Sequence, residues 1–171
     1  MASLELQNTC NEIKEICALW TEAPGPVTNV KDLGPTDLVA YLPNIILAEV
    51  EEHTHRIRYR HVGNELSGIY GKKVEGKFLD EMPFIVRKFA APADLATIAQ
   101  REPRLETFTF LKNLWAVRFQ RVMLPLMDPN NERVAEILVA IYPEVATPKK
   151  ASSERSERCP THLSSELVPA E

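Results

Sequence analysis

The stretch Arg58-Tyr-Arg-His-Val-Gly-Asn-Glu-Leu-Ser-Gly-Ile-Tyr-Gly-Lys-Lys-Val-Glu-Gly76 decides how this chain folds. Its first residues alternate as a strand does and run into Gly63, where the backbone must turn sharply. Leu66, Ile69 and Tyr70 then fall at the spacing of a short helix. Gly71 stands where a helix C-terminus takes a left-handed residue. Gly76 closes the turn before the apolar pair Phe78-Leu79.

Upstream, Asn44 to Val50 reads as a strand, Glu51 to His55 as a turn, and Arg56 to Val62 as the returning strand of a hairpin. Before it, Asp32 to Tyr41 predicts a short helix that Leu42-Pro43 ends. Pro24, Gly25 and Pro26 mark a loop. Leu6, Cys10, Ile13, Cys17 and Trp20 recur at i, i+4, i+7, i+11 and i+14 and form one apolar stripe on an amphipathic helix. Such a stripe suits a helix packed on its own domain and also a dimerisation helix.

Downstream, Pro83 opens a helix whose apolar set reads Phe84, Ile85, Val86, Phe89, Leu95 and Ile98. Pro92 is expected to kink or split it, since proline cannot donate to the preceding turn. Three strands follow: Leu105 to Leu111, Trp115 to Met123 and Arg133 to Tyr142, joined by short turns as in an antiparallel meander. In the second, Val117, Phe119, Arg121 and Met123 share a face. The order predicts an α+β domain: a five-stranded antiparallel sheet with helices on one face, plus the N-terminal amphipathic helix. The expected divisions are 1–22 for that helix, 23–145 for the domain and 146–171 for a tail. That tail holds five serines and three prolines and no aromatic residue, so it reads as disordered.

The net charge of −4 and the lack of a basic stripe argue against a nucleic-acid partner. No apolar run reaches membrane-spanning length, and the first residues do not read as a secretory signal. Cys10, Cys17 and Cys159 lack paired spacing and suit reduced thiols in a cytoplasmic protein. Phosphate-loop, GxSxG and HExxH patterns are absent. His53 and His55 lie in a turn with no third metal ligand in view. No carboxylate pair is placed by its spacing in a cleft, so no catalytic residue is assigned.

The β-β-α-α-α-β-β-β order resembles the PAS sensor domain superfamily. The local words are similar to its short stand-alone family common in alphaproteobacteria. They are carried by Leu42-Pro43, Ile45 to Val50, Arg60, Gly63, Leu66 to Ile69, Tyr70-Gly71 and Gly76. Leu124-Pro125-Leu126 before the turn Asp128 to Glu132, and Trp20 near the end of the first helix, add to them. The resemblance spans residues 13–142. It implies signal reception, with a small molecule in a pocket between sheet and helices or a signalling protein docked on the sheet. The cofactor, if there is one, is left unknown. No cysteine lies between Cys17 and Cys159, so flavin photochemistry through a helical cysteine is not supported.

Strand alternation combined with this fold analogy nominates Tyr59, His61, Leu66, Ile69, Phe78, Phe119 and Ile137 as ligand-binding, with Tyr59 and His61 on one strand face. The chain shows no kinase, cyclase or DNA-binding output segment, so a signal is expected to pass in trans, through a homodimer on the N-terminal helix or another protein. Two other classes stay open: a ligand-free interaction scaffold, and a small α+β enzyme of the cone-shaped isomerase type. A tightly filled apolar interior favours the scaffold, convergent polar groups the sensor, and a buried carboxylate of raised pKa the enzyme.

Overall fold

The structure, a computed structural model, describes residues 6, 9–34, 38–112 and 115–144. The expected tail, 146–171, lies outside the described residues. Among the described residues three complete helices, α1 (Asn11–Glu22), α2 (Ser67–Tyr70) and α3 (Phe84–Gln100), accompany five strands. These are β1 (Ile45–Val50), β2 (Ile57–Val62), β3 (Arg104–Lys112), β4 (Trp115–Met127) and β5 (Val134–Pro143). Short 3-10 turns fill Val30–Leu33, Val39–Asn44, Asn64–Leu66 and Leu79–Glu81.

All strand pairs are antiparallel, and the sheet order is β2-β1-β5-β4-β3. The fold is the PAS-like α+β arrangement that the element order predicts. β2 and β3 are opposite edges, about 19 Å apart at about 4.8 Å per strand. The 17 residues of α3 span about 25 Å and so carry the chain across the sheet in one pass.

Period-two alternation in β4 and β5 buries these strands on both faces. Phe119, Met123, Ile137, Val139 and Ile141 join Ile46, Ala48 and Tyr59 on an inner face. Leu66, Ile69, Tyr70, Val86 and Ala90 from the crossover cover that face. Val122, Leu124, Leu126, Leu138 and Ala140 form the other face, covered by Ile13, Ile16 and Cys17 of α1 and by Val27, Leu33 and Leu38. The apolar stripe of the first helix is therefore used on its own sheet. Trp20 extends the contact by donating its Nε1–H to the Pro125 carbonyl at 3.1 Å. Pro125 lies beyond the last β3 pair, Arg104 with Met123. A strand residue's N and C=O point the same way, and this carbonyl is turned to Trp20. The missing proline N–H therefore costs no ladder bond.

Several local expectations change. Gly63 has φ −53°, open to any residue, but a Cβ there would lie 2.1 Å from the Pro43 carbonyl oxygen. Close approach to Pro43 requires glycine at this position, and the turn's own dihedrals do not. Gly71 does take the left-handed region, at φ +93°. Of the helix expected over Asp32 to Tyr41, helical Leu38 is described between 3-10 turns at Val30–Leu33 and Val39–Asn44, residues 35–37 lie outside the described residues, and Pro43 lies inside the second turn. Pro92 does not split α3, which runs unbroken from Phe84 to Gln100.

Candidate functional site

The inward face of α3 is made by Val86, Ala90, Ala93, Asp94 and Thr97. Small Ala90 and Ala93 let the helix sit close to the sheet. Phe84, Ile85 and Leu95, expected in its apolar set, are exposed, Phe84 at 71%. The helix thus buries a carboxylate at a core position, with Asp94 3% exposed.

Opposite it, the alternation of β4 puts Arg121 between Phe119 and Met123 on the inner face, 1% exposed. Its cross-strand neighbour on β3 is Glu106. Arg121 donates Nε–H to Glu106 Oε1 at 2.7 Å, a second N–H from Nη2 to the same oxygen, and Nη2–H to the Phe89 carbonyl at 2.5 Å. The guanidinium carbon lies 5.6 Å from the Phe89 ring and 5.3 Å from the Phe108 ring. Stacking and edge contacts link the aromatic residues of this interior. Tyr59 meets Tyr70 at 5.8 Å, Tyr70 meets Phe89 at 5.9 Å, Phe89 stacks on Phe108 at 4.9 Å, and Phe108 on Phe119 at 5.5 Å.

Three buried polar atoms in this interior have no hydrogen-bond partner: Asp94 Oδ1, Arg121 Nη1 and the Tyr59 hydroxyl. Such atoms are rare because each forfeits its hydration for nothing. Burial, the dominant cause, pushes the Asp94 carboxyl up from 3.8 to about 7. Arg121 pulls it down and Glu106 pushes it up. Tyr59 and Tyr70 are also raised above the ordinary phenol range, first by burial. Asp94 adds to both shifts and Arg121 opposes both.

The structure gathers five of the seven nominated residues, Tyr59, Leu66, Ile69, Phe119 and Ile137, into the core around this cluster. His61 and Phe78 lie elsewhere. Ala48 pairs with Tyr59 but Leu47 pairs with His61, so Arg60 is the extra residue of a β-bulge. One added residue reverses the side-chain alternation, and His61 leaves the face of Tyr59. Its Nε2 meets the Leu42 carbonyl at 3.2 Å and its Nδ1 meets Glu75 at 3.2 Å. Phe78 bridges to Arg58, which alternates with Tyr59 and so faces the opposite side. There the Arg56 guanidinium covers its ring at 3.6 Å and that of Arg58 at 4.8 Å. Arg56 in turn bonds Asp80 and Glu81, and Arg58 bonds Glu51. That set clamps the outer edge of β2, which residues 76–78 also close through Tyr59 N–H to Lys77 O at 2.9 Å.

Compared with known proteins, the chain matches no family model and no curated protein sequence.

The residues of this interior cluster that the sequence reading does not nominate are Asp94, Tyr70, Phe89, Glu106, Phe108 and Arg121. Their signal was present. Asp94 falls four residues after Ala90 and eight after Val86, a core period in a helix, and Arg121 alternates with Phe119 and Met123. Among the described residues no three His, Cys, Asp or Glu side chains converge as a metal set. No helix among them is long and apolar enough to cross a membrane.

Proposed function

We propose that this chain is a sensory and signalling module of the PAS type that receives a small molecule in its interior. The observation that supports this is the convergence of Asp94 Oδ1, Arg121 Nη1 and the Tyr59 hydroxyl, all buried and unpartnered, beneath an aromatic lining. A ligand-free scaffold gains nothing from such groups, since buried polar atoms without partners destabilise a core. A ligand that donates to Asp94 and accepts from Arg121 would satisfy them together. The chain would then work by binding, in the cytoplasm, and signal through a second copy or another protein. A homodimer built on α1 would use its outward residues, Glu12, Glu15 and Ala18 among them, because Ile13, Ile16 and Cys17 are taken by the sheet.

The test is to purify the full chain without added ligand, record its visible spectrum, and weigh it in native and then denaturing conditions. The proposal expects a small molecule released on denaturation, and its loss in Tyr59→Phe or Asp94→Asn protein that remains folded. Bare mass for the wild type, with no small molecule that raises its melting temperature, would refute the proposal. One observation favours a second reading, the small α+β enzyme. Asp94, with its carboxyl at about 7, is poised to exchange a proton near neutrality. Conversion of the released molecule by fresh protein, abolished in Asp94→Asn, would support the enzyme over the sensor.

A further inference from the structure

We infer that the groove at the end of α1 is the docking site of this chain's own acidic segment, Glu166-Leu-Val-Pro-Ala-Glu171. The groove holds about 590 Å³, within the range of about 300–1,000 Å³ usual for binding clefts. None of its lining residues belongs to the Asp94 cluster, so the inference goes beyond the reading above and does not depend on it. Its apolar walls are Trp20, Pro24, Pro26, Val27, Pro125 and Met127. Trp20 is fixed by its Nε1–H bond to the Pro125 carbonyl, and the loop by the Met127 N–H bond to the Val27 carbonyl at 2.8 Å. The walls are therefore set before anything binds, which lowers the ordering cost of docking. One charged residue, Arg101, lines the groove. It caps α3 at φ +55°, in the left-handed region where glycine is the usual residue. Such strain gathers at functional sites. Arg101 is exposed and joins none of the ion pairs among the described residues. Its field reaches Asp128, but that carboxylate already accepts the backbone N–H groups of Glu132 and Arg133.

Charge, apolarity and reach select the occupant. Lys149, Lys150, Arg155 and Arg158 are the basic residues after β5. Beyond them Glu166 and Glu171 are the only Asp, Glu, Lys or Arg, so this segment has the sign that Arg101 attracts. Leu167-Val-Pro-Ala170 is the longest apolar run between residues 145 and 171, and the two glutamates flank it. It therefore matches a groove of apolar walls with one cation. β5 runs from Val134 beside Met127 to Pro143 beside Phe119. Glu144 thus lies about 24–34 Å from the groove, at about 3.4 Å per residue. The 23 residues from Glu144 to Leu167 span about 24–29 Å as a flexible chain. A tether whose length matches the gap gives its end the highest effective concentration, in the millimolar range for a flexible one. At micromolar protein a chain's own segment therefore reaches its groove ahead of the segment of a second copy.

The test uses the full chain carrying the photo-crosslinker substitution Leu167→p-benzoylphenylalanine. Ordinary and nitrogen-15-labelled protein are mixed, irradiated across a hundredfold range of concentration, and digested for mass spectrometry. The isotope pattern separates links within a chain from links between chains. The expected result is a link within one chain to the peptides that carry Trp20 to Val27, Arg101 or Pro125 to Asn131, with a yield independent of concentration. Arg101→Glu, verified as folded by circular dichroism, should cut that yield by about fivefold, the scale of an exposed charge pair turned repulsive. Adding Glu166→Arg and Glu171→Arg to it should restore the yield. Val168→Asp, which lies outside the folded domain and so leaves it intact, should also lower the yield. Links between chains that grow with concentration would overturn the assignment and give the groove to a second copy. Links scattered over other surfaces, or a groove link indifferent to Arg101→Glu and Val168→Asp, would overturn it as well.

Discussion

Replacing Asp94 by asparagine should alter how stability depends on pH, and the size and sign follow from its position. A carboxyl at 3.8 in the unfolded chain and about 7 in the folded one holds its proton more tightly when folded. Its contribution is therefore most favourable at low pH. It declines as pH rises from about 4 to about 7 and is then constant, because above both values neither state is protonated. At about 1.4 kcal/mol per pH unit of difference, the decline is about 4 kcal/mol, and asparagine does not show it. Other carboxylates run the opposite way. Asp32 is held below its ordinary range first by the Thr28 backbone N–H, Asp80 by Arg56 and Asp128 by the Arg133 backbone N–H. Each stabilises above its unfolded value and loses that contribution on acidification. Comparing variant with wild type at each pH cancels them, and any fixed cost of burying the amide appears as a constant offset. Urea denaturation at intervals from pH 4 to 8 reads the difference. The variant should gain about 4 kcal/mol on the wild type across that range. Parallel curves, with a change below about 1 kcal/mol, would show that Asp94 is not a desolvated ionisable group and would sink the reasoning behind the interior site.

Arg121→Met should cost about 1–3 kcal/mol, because the Phe89 carbonyl loses its donor while Glu106 keeps only its ion pair with Arg104. It should also move the Asp94 titration to higher pH, since Arg121 is the group that lowers it; both are read from urea curves at several pH values. Gly63→Ala should lower the urea midpoint by the equivalent of about 3 kcal/mol, as the new Cβ meets the Pro43 carbonyl at 2.1 Å and backbone cannot yield cheaply. Phe84→Ser should stay within about 0.5 kcal/mol in the same assay, because that ring is 71% exposed despite its place in an apolar run.

Much of the fold was legible because its strands and turns follow period and punctuation. The alternation of Phe119, Arg121 and Met123, the β1–β2 hairpin and the left-handed Gly71 are all local signals, and the structure keeps them. The misplacements share one cause, a non-local event invisible to a periodic reading. Period-two alternation puts His61 on the face of Tyr59, and the bulge at Arg60 breaks that alternation. Strand alternation and fold analogy place Phe78 at the pocket, but the bridge to Arg58 turns it to the opposite side, under two arginines. In α3 the large residues Phe84, Ile85 and Leu95 attracted attention, while the face that meets the sheet is made of small ones. Asp94 escapes the periodic reading with them: a buried carboxylate has no local signature, and only the position of Asp94 on the small-residue face of α3 marks it.

That solitary placement bears on why the cluster exists. A core built for stability alone would carry an apolar residue at 94 and at 121, since replacing buried ionic groups with well-packed hydrophobic ones is commonly neutral or stabilising. Here the two positions face one interior from different elements, α3 and β4, and each leaves an atom unpartnered. A fourth orphan, Arg58 Nε, lies on the opposite side of β2, beside Phe78 and Glu51. Orphans on β2, α3 and β4 that all bear on the same carboxylate share a location and have complementary roles: an acceptor at Asp94, a donor at Arg121 and a hydroxyl at Tyr59 capable of both. A single bound molecule accounts for all three at once. A purely structural account must explain each separately.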